Sequence, residues 1–494
     1  MTRSIAARQS AKGRWLTLPL VILLAALPAA ACDVAVISGI SATDGRPILW
    51  KNRDDSNSFF QGLEWYPGER EEIGGHVCLE EIFFPTQTRV CSGGVNEAGF
   101  AVLNASVYAD TTVEEFVNQD VALMKRALIE CMSVTCFEEL LARWNDPAES
   151  IDVISSNFVA MDAHGGAIMI EAQSGIGEPV RYTVHDAEAA PGGFANHTNF
   201  NRYIDNPGVE RRRRATALLT VLGQVSALTP LNVMQIVTKD VCDYDRLSPP
   251  ERFPTNLCIS RAQTTASVVI EGVAPGEDPR LTIMWANLGE PSMGVYAPVF
   301  PAARQIPEKM KMRRGGASPL NLAIVFKEFG AYDNNGGING LMPNPLMDTH
   351  INRPAMERVR ALAAPIEELL SSEVRQAALE LQATGELDAA ALAAIAEAGA
   401  DYAFQRYAID PLPLSNFGPV ATAVGASAAA FYFAGRVAYV NSRWLAGVVA
   451  EREDVYEALR IAIEVNARYL PQQLPLERAA LRRIIAIKLA ERRS

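Results

Sequence analysis

Cys32 follows Ala29-Ala30-Ala31, and this junction is where the chain first offers chemistry. Residues 1–14 carry Arg3, Arg8, Lys12 and Arg14, and residues 16–27 form an apolar run. The alanines then supply the small side chains that signal peptidase needs before its cut, so the segment 1–31 is expected to be an export signal. Cleavage after Ala31 would leave Cys32 first in the mature chain, with a thiol and a free α-amine on one residue. An α-amine titrates near ~7.7–8.0 and an unperturbed thiol near ~8.5, so the amine can take the proton of its own thiol without a histidine. The apolar run is short for a membrane span of ~20 residues, and Pro19 and Pro28 interrupt it, which argues against an uncleaved anchor. The rival product of such a junction is an acylated cysteine, but that signal prefers a bulky aliphatic residue where Ala29 stands.

Seven cysteines is an odd count. Apart from Cys32 they fall into close pairs, Cys78 with Cys91, Cys131 with Cys136, and Cys242 with Cys258. In an exported chain disulfides can close such loops, each contributing ~2–4 kcal/mol. Six cysteines allow about fifteen connectivities, so spacing alone leaves the pairing open. Cys32 is then the thiol left over.

The elements that must position this thiol are short. Strands are expected over 34–38, 48–52, 100–106, 158–162, 167–171, 267–272 and 281–286, where β-branched or aromatic runs lie between Gly, Asp and Asn turns. Helices are expected over 113–144, 209–222 and 230–239. Strands and helices in blocks, without a regular βαβ alternation, predict an α+β layered domain from 32 to 310. Residues 311–494 are rich in Ala, Leu, Glu and Arg with helical periodicity, for instance over 356–381 and 453–469, and form a mostly helical C-terminal extension. The uncharged stretch 418–435 is rich in Ala, Gly and Ser and reads as a buried hairpin or close-packed helix, with a C-terminal membrane anchor as the less favoured alternative. The loop at Asp333-Asn334-Asn335-Gly336-Gly337 has its glycines at the wrong offsets for a calcium loop.

Ser41-Ala42-Thr43-Asp44-Gly45-Arg46 forms a turn, and Lys51-Asn52-Arg53-Asp54 ends the strand after it. A hairpin there returns a cation and a carboxylate to the side of the cysteine. With this block, three further patterns occur in order: Asn96-Glu97-Ala98-Gly99 followed by Asn104, Ala195-Asn196-His197-Thr198-Asn199-Phe200 followed by Arg211 to Arg214, and the late strand at Ala266-Ser267-Val268-Val269-Ile270. The ordered set resembles the N-terminal-nucleophile hydrolases of linear amides: choloylglycine hydrolase, penicillin V acylase, acid ceramidase and the acyl-CoA:6-aminopenicillanate acyltransferase relatives. The resemblance implies a four-layer αββα sandwich and a small N-acyl amide as substrate. It makes Cys32 the nucleophile, with its α-amine as general base. Asp54 would hold the amino terminus or thiol, and Lys51 stands where bile-salt hydrolases carry Arg. Asn104 and Asn199 would donate to the oxyanion, with Asn196 as the alternative to Asn199, and one of Arg211 to Arg214 would complete the site. An acyltransferase and an N-terminal-cysteine dipeptidase are the enzyme alternatives, and a lipid-anchored binding protein is the other class.

Other chemistries find little support in 494 residues. A formal net charge of -12, which becomes -16 once the four leader cations are removed, disfavours a nucleic-acid partner. Five histidines, His76, His164, His185, His197 and His350, show no metal-ligand spacing, and no cofactor is expected. His197, beside the candidate site, reads as a structural hydrogen-bonding residue. No Gly-x-Ser-x-Gly elbow or phosphate loop occurs. Charged residues at 21% and a mean hydropathy of +0.05 do not suit wholesale disorder or a polytopic membrane protein.

Overall fold

The computed structural model describes residues 32–54, 61–83, 88–107, 119–144, 153–175, 178–200, 208–241, 252–255, 257–312, 318–331, 350–409 and 478–492. The expected leader, Cys242, the loop at 333–337, the stretch 418–435 and the expected helix over 453–469 lie outside the described residues.

In chain order the first strands are β1 (Asp33–Ile37), β2 (Ile48–Asp54), β3 (Gln61–Tyr66), β4 (His76–Phe83), β5 (Thr88–Asn96) and β6 (Ala101–Ser106). Helices α1 (Asp120–Glu130) and α2 (Val134–Arg143) precede β7 (Ser155–Met161), β8 (Ala167–Gln173), β9 (Arg181–Asp186) and β10 (Phe194–His197). Then come α3 (Val209–Gln224), β11 (Arg252–Pro254), β12 (Thr264–Glu271), β13 (Ile283–Asn287) and β14 (Ala297–Val299). The chain ends with α4 (Pro319–Ala331), β15 (His350–Asn352), α5 (Arg353–Thr384), α6 (Ala389–Ile409) and α7 (Arg478–Glu491).

Two antiparallel sheets carry the architecture. One has six strands in the order β10-β1-β2-β12-β13-β14; the other is a seven-stranded meander from β3 to β9. They face each other, with β1 against β6, β7 and β8 and β2 against β6 and β7. Side-chain alternation along the meander shows why both of its faces are covered. Val77, Leu79, Ala101, Leu103, Ala105, Val159 and Met161 belong to the core shared with the six-stranded sheet. Their neighbours Cys78, Val102, Phe158 and Ala160 pack instead with Leu123, Leu128, Phe137 and Leu141 of α1 and α2. On the far side, α3 lies against β10, and α5 and α6 lie against β14. The layers therefore run helix, sheet, sheet, helix, the order that the family resemblance implied, and helices beyond residue 310 join the outer layer.

The expected helix over 113–144 is two helices within the described residues. Ser133 caps α2 by accepting the Cys136 N–H at 3.2 Å, and a Cys131–Cys136 disulfide spans the break. Asn96 Nδ2 donates to the carbonyls of Leu128 and Cys131 at 3.0 and 2.8 Å, closing the C-terminus of α1. A second disulfide, Cys78–Cys91, ties β4 to β5. The expected helix over 230–239 is a single α-turn, Pro230–Asn232, that widens into a π-helical stretch, Val233–Val237.

Candidate active site around Cys32

Cys32 immediately precedes β1 and is 7% exposed. The antiparallel register places Asp33 opposite Asn52 and Val34 opposite Lys51, so the hairpin closed by the Asp44-Gly45 turn brings the Lys51 to Asp54 block beside the cysteine. Gly45 sits at φ +79°, a conformation that favours glycine. The Asp54 N–H donates to the Cys32 thiol. Burial raises the thiol pKa above its ordinary value, while Lys51 and Arg53 act in the opposite direction and Asp54 adds to the rise.

Lys51 is buried, and burial lowers its pKa against the pull of the neighbouring Cys32. Its Nζ donates to Asn104 Oδ1 at 2.6 Å and to the Ser92 carbonyl at 2.8 Å. Asn104 Nδ2 turns toward Asp120 Oδ2 at 2.8 Å, with the Ser156 and Ser106 hydroxyls at 3.2 and 3.3 Å. Both hydroxyls also donate to Asp120 Oδ2, at 3.1 and 2.6 Å. Asp120 opens α1, where a carboxylate complements the positive end of the helix. Asn104 thus sits between the acid and the lysine, with its amide nitrogen engaged by that acid and hydroxyl cluster.

Both oxygens of Asp54 are engaged. Its Oδ1 accepts the Thr264 hydroxyl at 2.6 Å, and its Oδ2 accepts two bonds from Arg261, at 2.8 and 2.5 Å. Its neighbour Asp33 binds Arg211, whose Nη1 lies 2.7 Å from Asp33 Oδ2 and 3.4 Å from the Cys32 carbonyl oxygen. Arg211 Nη2 donates to Asn199 Oδ1 at 3.1 Å. Arg211 is therefore the member of the four-arginine run that reaches Cys32. Arg212 packs beside Asn196, Arg213 pairs with Glu210 on the exposed face, and Arg214 pairs with Asp240.

The two asparagines of the 195–200 segment separate in the same way. Asn196 serves α3: Nδ2 donates to the Arg212 carbonyl at 3.1 Å, and Oδ1 accepts the Thr216 hydroxyl at 2.9 Å. Asn199 belongs to the Cys32 cluster. Its Nδ2 donates to the Ser106 carbonyl at 2.6 Å, which uses one of the two hydrogens on that nitrogen. The turn carrying Asn199 is held by Asn157, whose Nδ2 donates to the Thr198 and Phe200 carbonyls at 2.6 and 2.7 Å. His197 Nδ1 accepts the Thr198 N–H at 3.0 Å, which leaves Nε2 to donate to Glu171 Oε1 at 3.2 Å. Its role in the structure is a hydrogen-bonding one, and burial lowers its pKa.

All five candidates, Cys32, Lys51, Asp54, Asn104 and Asn199, are buried; Lys51 bonds Asn104, Ser106 meets both Asn104 and Asn199, and Arg211 links Asn199 to the Cys32 carbonyl. The sequence reading missed Asp33, Asp120 and Arg261. Only Asp33 carried a local signal, as the one charged residue of an otherwise apolar strand, Asp33–Ile37. Among the described residues no group of three or more His, Cys, Asp and Glu side chains could hold a metal ion.

No family model matches the chain, and no curated protein matches it. Among solved structures, a mutant conjugated bile acid hydrolase from Clostridium perfringens is similar, with 13% identity, 54% of this chain and 92% of that chain covered, and a TM-score of 0.34. The Caenorhabditis elegans ortholog of N-acylethanolamine-hydrolyzing acid amidase shares 15% identity over 50% of this chain and 94% of its own, with a TM-score of 0.32. Penicillin V acylase from Agrobacterium tumefaciens shares 13% identity over 55% of this chain and 86% of its own, with a TM-score of 0.30.

Proposed function

We propose that the chain is an exported N-terminal-nucleophile amidohydrolase. Removal of residues 1–31 exposes Cys32, which cleaves the linear amide of a small N-acyl substrate through a thioester. The observation that carries this reading is the convergence on Cys32: the Asp54 N–H on its sulfur, the Lys51 cation nearby, and Asn199 tied to its backbone through Arg211.

In this mechanism the α-amine takes the thiol proton and Cys32 Sγ attacks the amide carbonyl. Lys51 favours the thiolate by its charge. The second hydrogen of Asn199 Nδ2 serves the oxyanion, a donation worth ~2.7–4 kcal/mol in such sites. Asn104 holds Lys51 in place from the other side. The amine leaves with the proton carried by the α-amine, and water then resolves the thioester.

Mass spectrometry of the exported protein should find an unmodified Cys32 at its amino terminus. A panel of N-acyl amides should be hydrolysed by this species and not by its Cys32→Ala variant. A diacylglyceryl-modified cysteine, or turnover by Cys32→Ala, rules the reading out.

A further inference from the structure

The carboxylate beside the nucleophile has an unfilled place. Asp33 is 1% exposed, and its Oδ1 has no hydrogen-bond partner among the described residues, while Oδ2 is held by Arg211. Buried carboxylate oxygens are rarely left without a donor, and one that is left calls for an explanation. Asp54, the acid expected to hold the amino terminus, already accepts from Thr264 and Arg261 on its two oxygens, whereas Asp33 Oδ1 accepts from no described residue.

We propose that Asp33 is the partner of the mature amino terminus: Oδ1 accepts an N–H from the Cys32 α-ammonium, while Oδ2 keeps Arg211 on Asn199. This inference rests on the processed-cysteine reading above. The missing donor is then one that processing creates, since cleavage turns the amide nitrogen of Cys32 into an amine one peptide unit away from the carboxylate.

The charges around this pair fit the assignment. Asp33 faces Arg211 from α3, Arg261 from the segment before β12, and Asp54 from β2, while Lys51 and Arg53 face the thiol. Burial pushes the Asp33 pKa up to about 7, with Asp54 adding to the rise and the two arginines opposing it. A new cation at the amino terminus would draw the carboxylate back toward its ionised form.

During acylation the thiol proton passes to the neutral α-amine, giving thiolate and ammonium. The ammonium is stabilised by Asp33 as the S–C bond forms and the carbonyl π pair moves onto oxygen. When the C–N bond breaks, the ammonium returns its proton to the leaving nitrogen. Asp33 thus sets the basicity of the base without touching substrate, which makes it a positioning residue.

The test uses the processed protein and the pH dependence of kcat/KM on N-acyl p-nitroanilides. Asp33→Asn keeps an oxygen for Arg211 but removes the charge. It should move the acidic limb down by about one pH unit and lower kcat by about tenfold or more, with KM little changed. A loss of activity with the limb unmoved would mean a merely structural role and overturn the proposal. If Asp33→Asn fails to fold, a crystal structure of the processed wild type decides: the α-nitrogen should lie about 3 Å from Asp33 Oδ1, and a nitrogen seated elsewhere refutes it. Turnover by Cys32→Ala would sink the underlying mechanism instead, whereas an inactive Cys32→Ala beside an unmoved Asp33→Asn limb sinks this inference alone.

Discussion

Lys51 Nζ donates to Asn104 Oδ1 at 2.6 Å, and Asn104 returns its nitrogen to Asp120, so the cation nearest the thiol is fixed by an amide that is itself fixed by the start of a helix. The geometry favours a single orientation of the Asn104 amide, because the Lys51 ammonium can only donate and so requires the amide oxygen on its side. Lys51→Met removes the charge that opposes the burial-driven rise of the thiol pKa. Alkylation of Cys32 by iodoacetamide at neutral pH should slow by about tenfold, with amide hydrolysis falling at least as far, and the titration should move to higher pH. Lys51→Arg should retain most of the reactivity. An unchanged alkylation profile in Lys51→Met would show that the lysine does not act through charge.

Asn196 and Asn199 stand three residues apart and should fail differently. Asn199→Ala removes a side chain bonded to Arg211 and Ser106 at the site, so kcat should fall about 10²–10³-fold with little change in melting temperature. Asn196→Ala removes two bonds to α3, so it should cost about 1–3 kcal/mol of stability and leave kcat close to wild type. Paired kinetics and thermal melts separate the two, and the reverse pattern would exchange their roles.

What was legible in the sequence was local. The cysteine, the Asp-Gly turn and the Lys51 to Asp54 block lie within one hairpin, so short-range turn logic was enough to bring them together. Arg261 and Asp120 arrive from far away, through the register of β2 with β12 and the approach of α1 to β6, and nothing in their immediate neighbours marks them. Arg211 was hidden among four arginines because only the helical turn decides which faces inward. β3, β4 and β5 went unnoticed because they interleave apolar residues with Gln61, Glu80, Glu81 and Ser92, all buried, so polarity gave no guide to their burial. The break at Cys131-Met132-Ser133 was invisible in a continuous helical pattern, since a cap and a disulfide create it.

A buried ion pair, Lys239 with Glu367, should help couple the helical region beyond residue 310 to the sandwich. Lys239 Nζ lies 2.7 Å from Glu367 Oε1 of α5, and that oxygen also accepts the Tyr296 N–H at 3.1 Å. Burial lowers the Lys239 pKa, and Glu367 opposes that shift. Glu367→Ala leaves a buried ammonium without its counter-ion and should destabilise the protein by about 3–5 kcal/mol. The double variant Lys239→Met, Glu367→Leu should recover much of that loss. Denaturant melts of the three proteins decide it: an additive double variant would mean that the two side chains do not act as a pair.

His76 should give the protein a sensitivity to mild acid that is independent of Cys32. Both of its ring nitrogens are buried without hydrogen-bond partners among the described residues, and the ring stacks on Tyr66 at 5.3 Å. Burial, with the Lys125 charge adding to it, lowers its pKa from 6.5 to about 4. Between those values the unfolded chain binds a proton that the folded chain refuses, so stability falls as the pH drops through that window. The loss should approach ~3 kcal/mol near pH 4 and then level off. Asp33 acts in the opposite direction: its folded pKa is raised from 3.8 to about 7, so the folded state gains from acid over part of the same window. The two effects are separated by comparing wild type with His76→Phe, which keeps the stacking and removes the titration. The difference in unfolding free energy between the proteins should widen in favour of His76→Phe as the pH falls from about 6.5 to about 4. A difference that stays constant with pH would mean that His76 takes its proton as readily folded as unfolded.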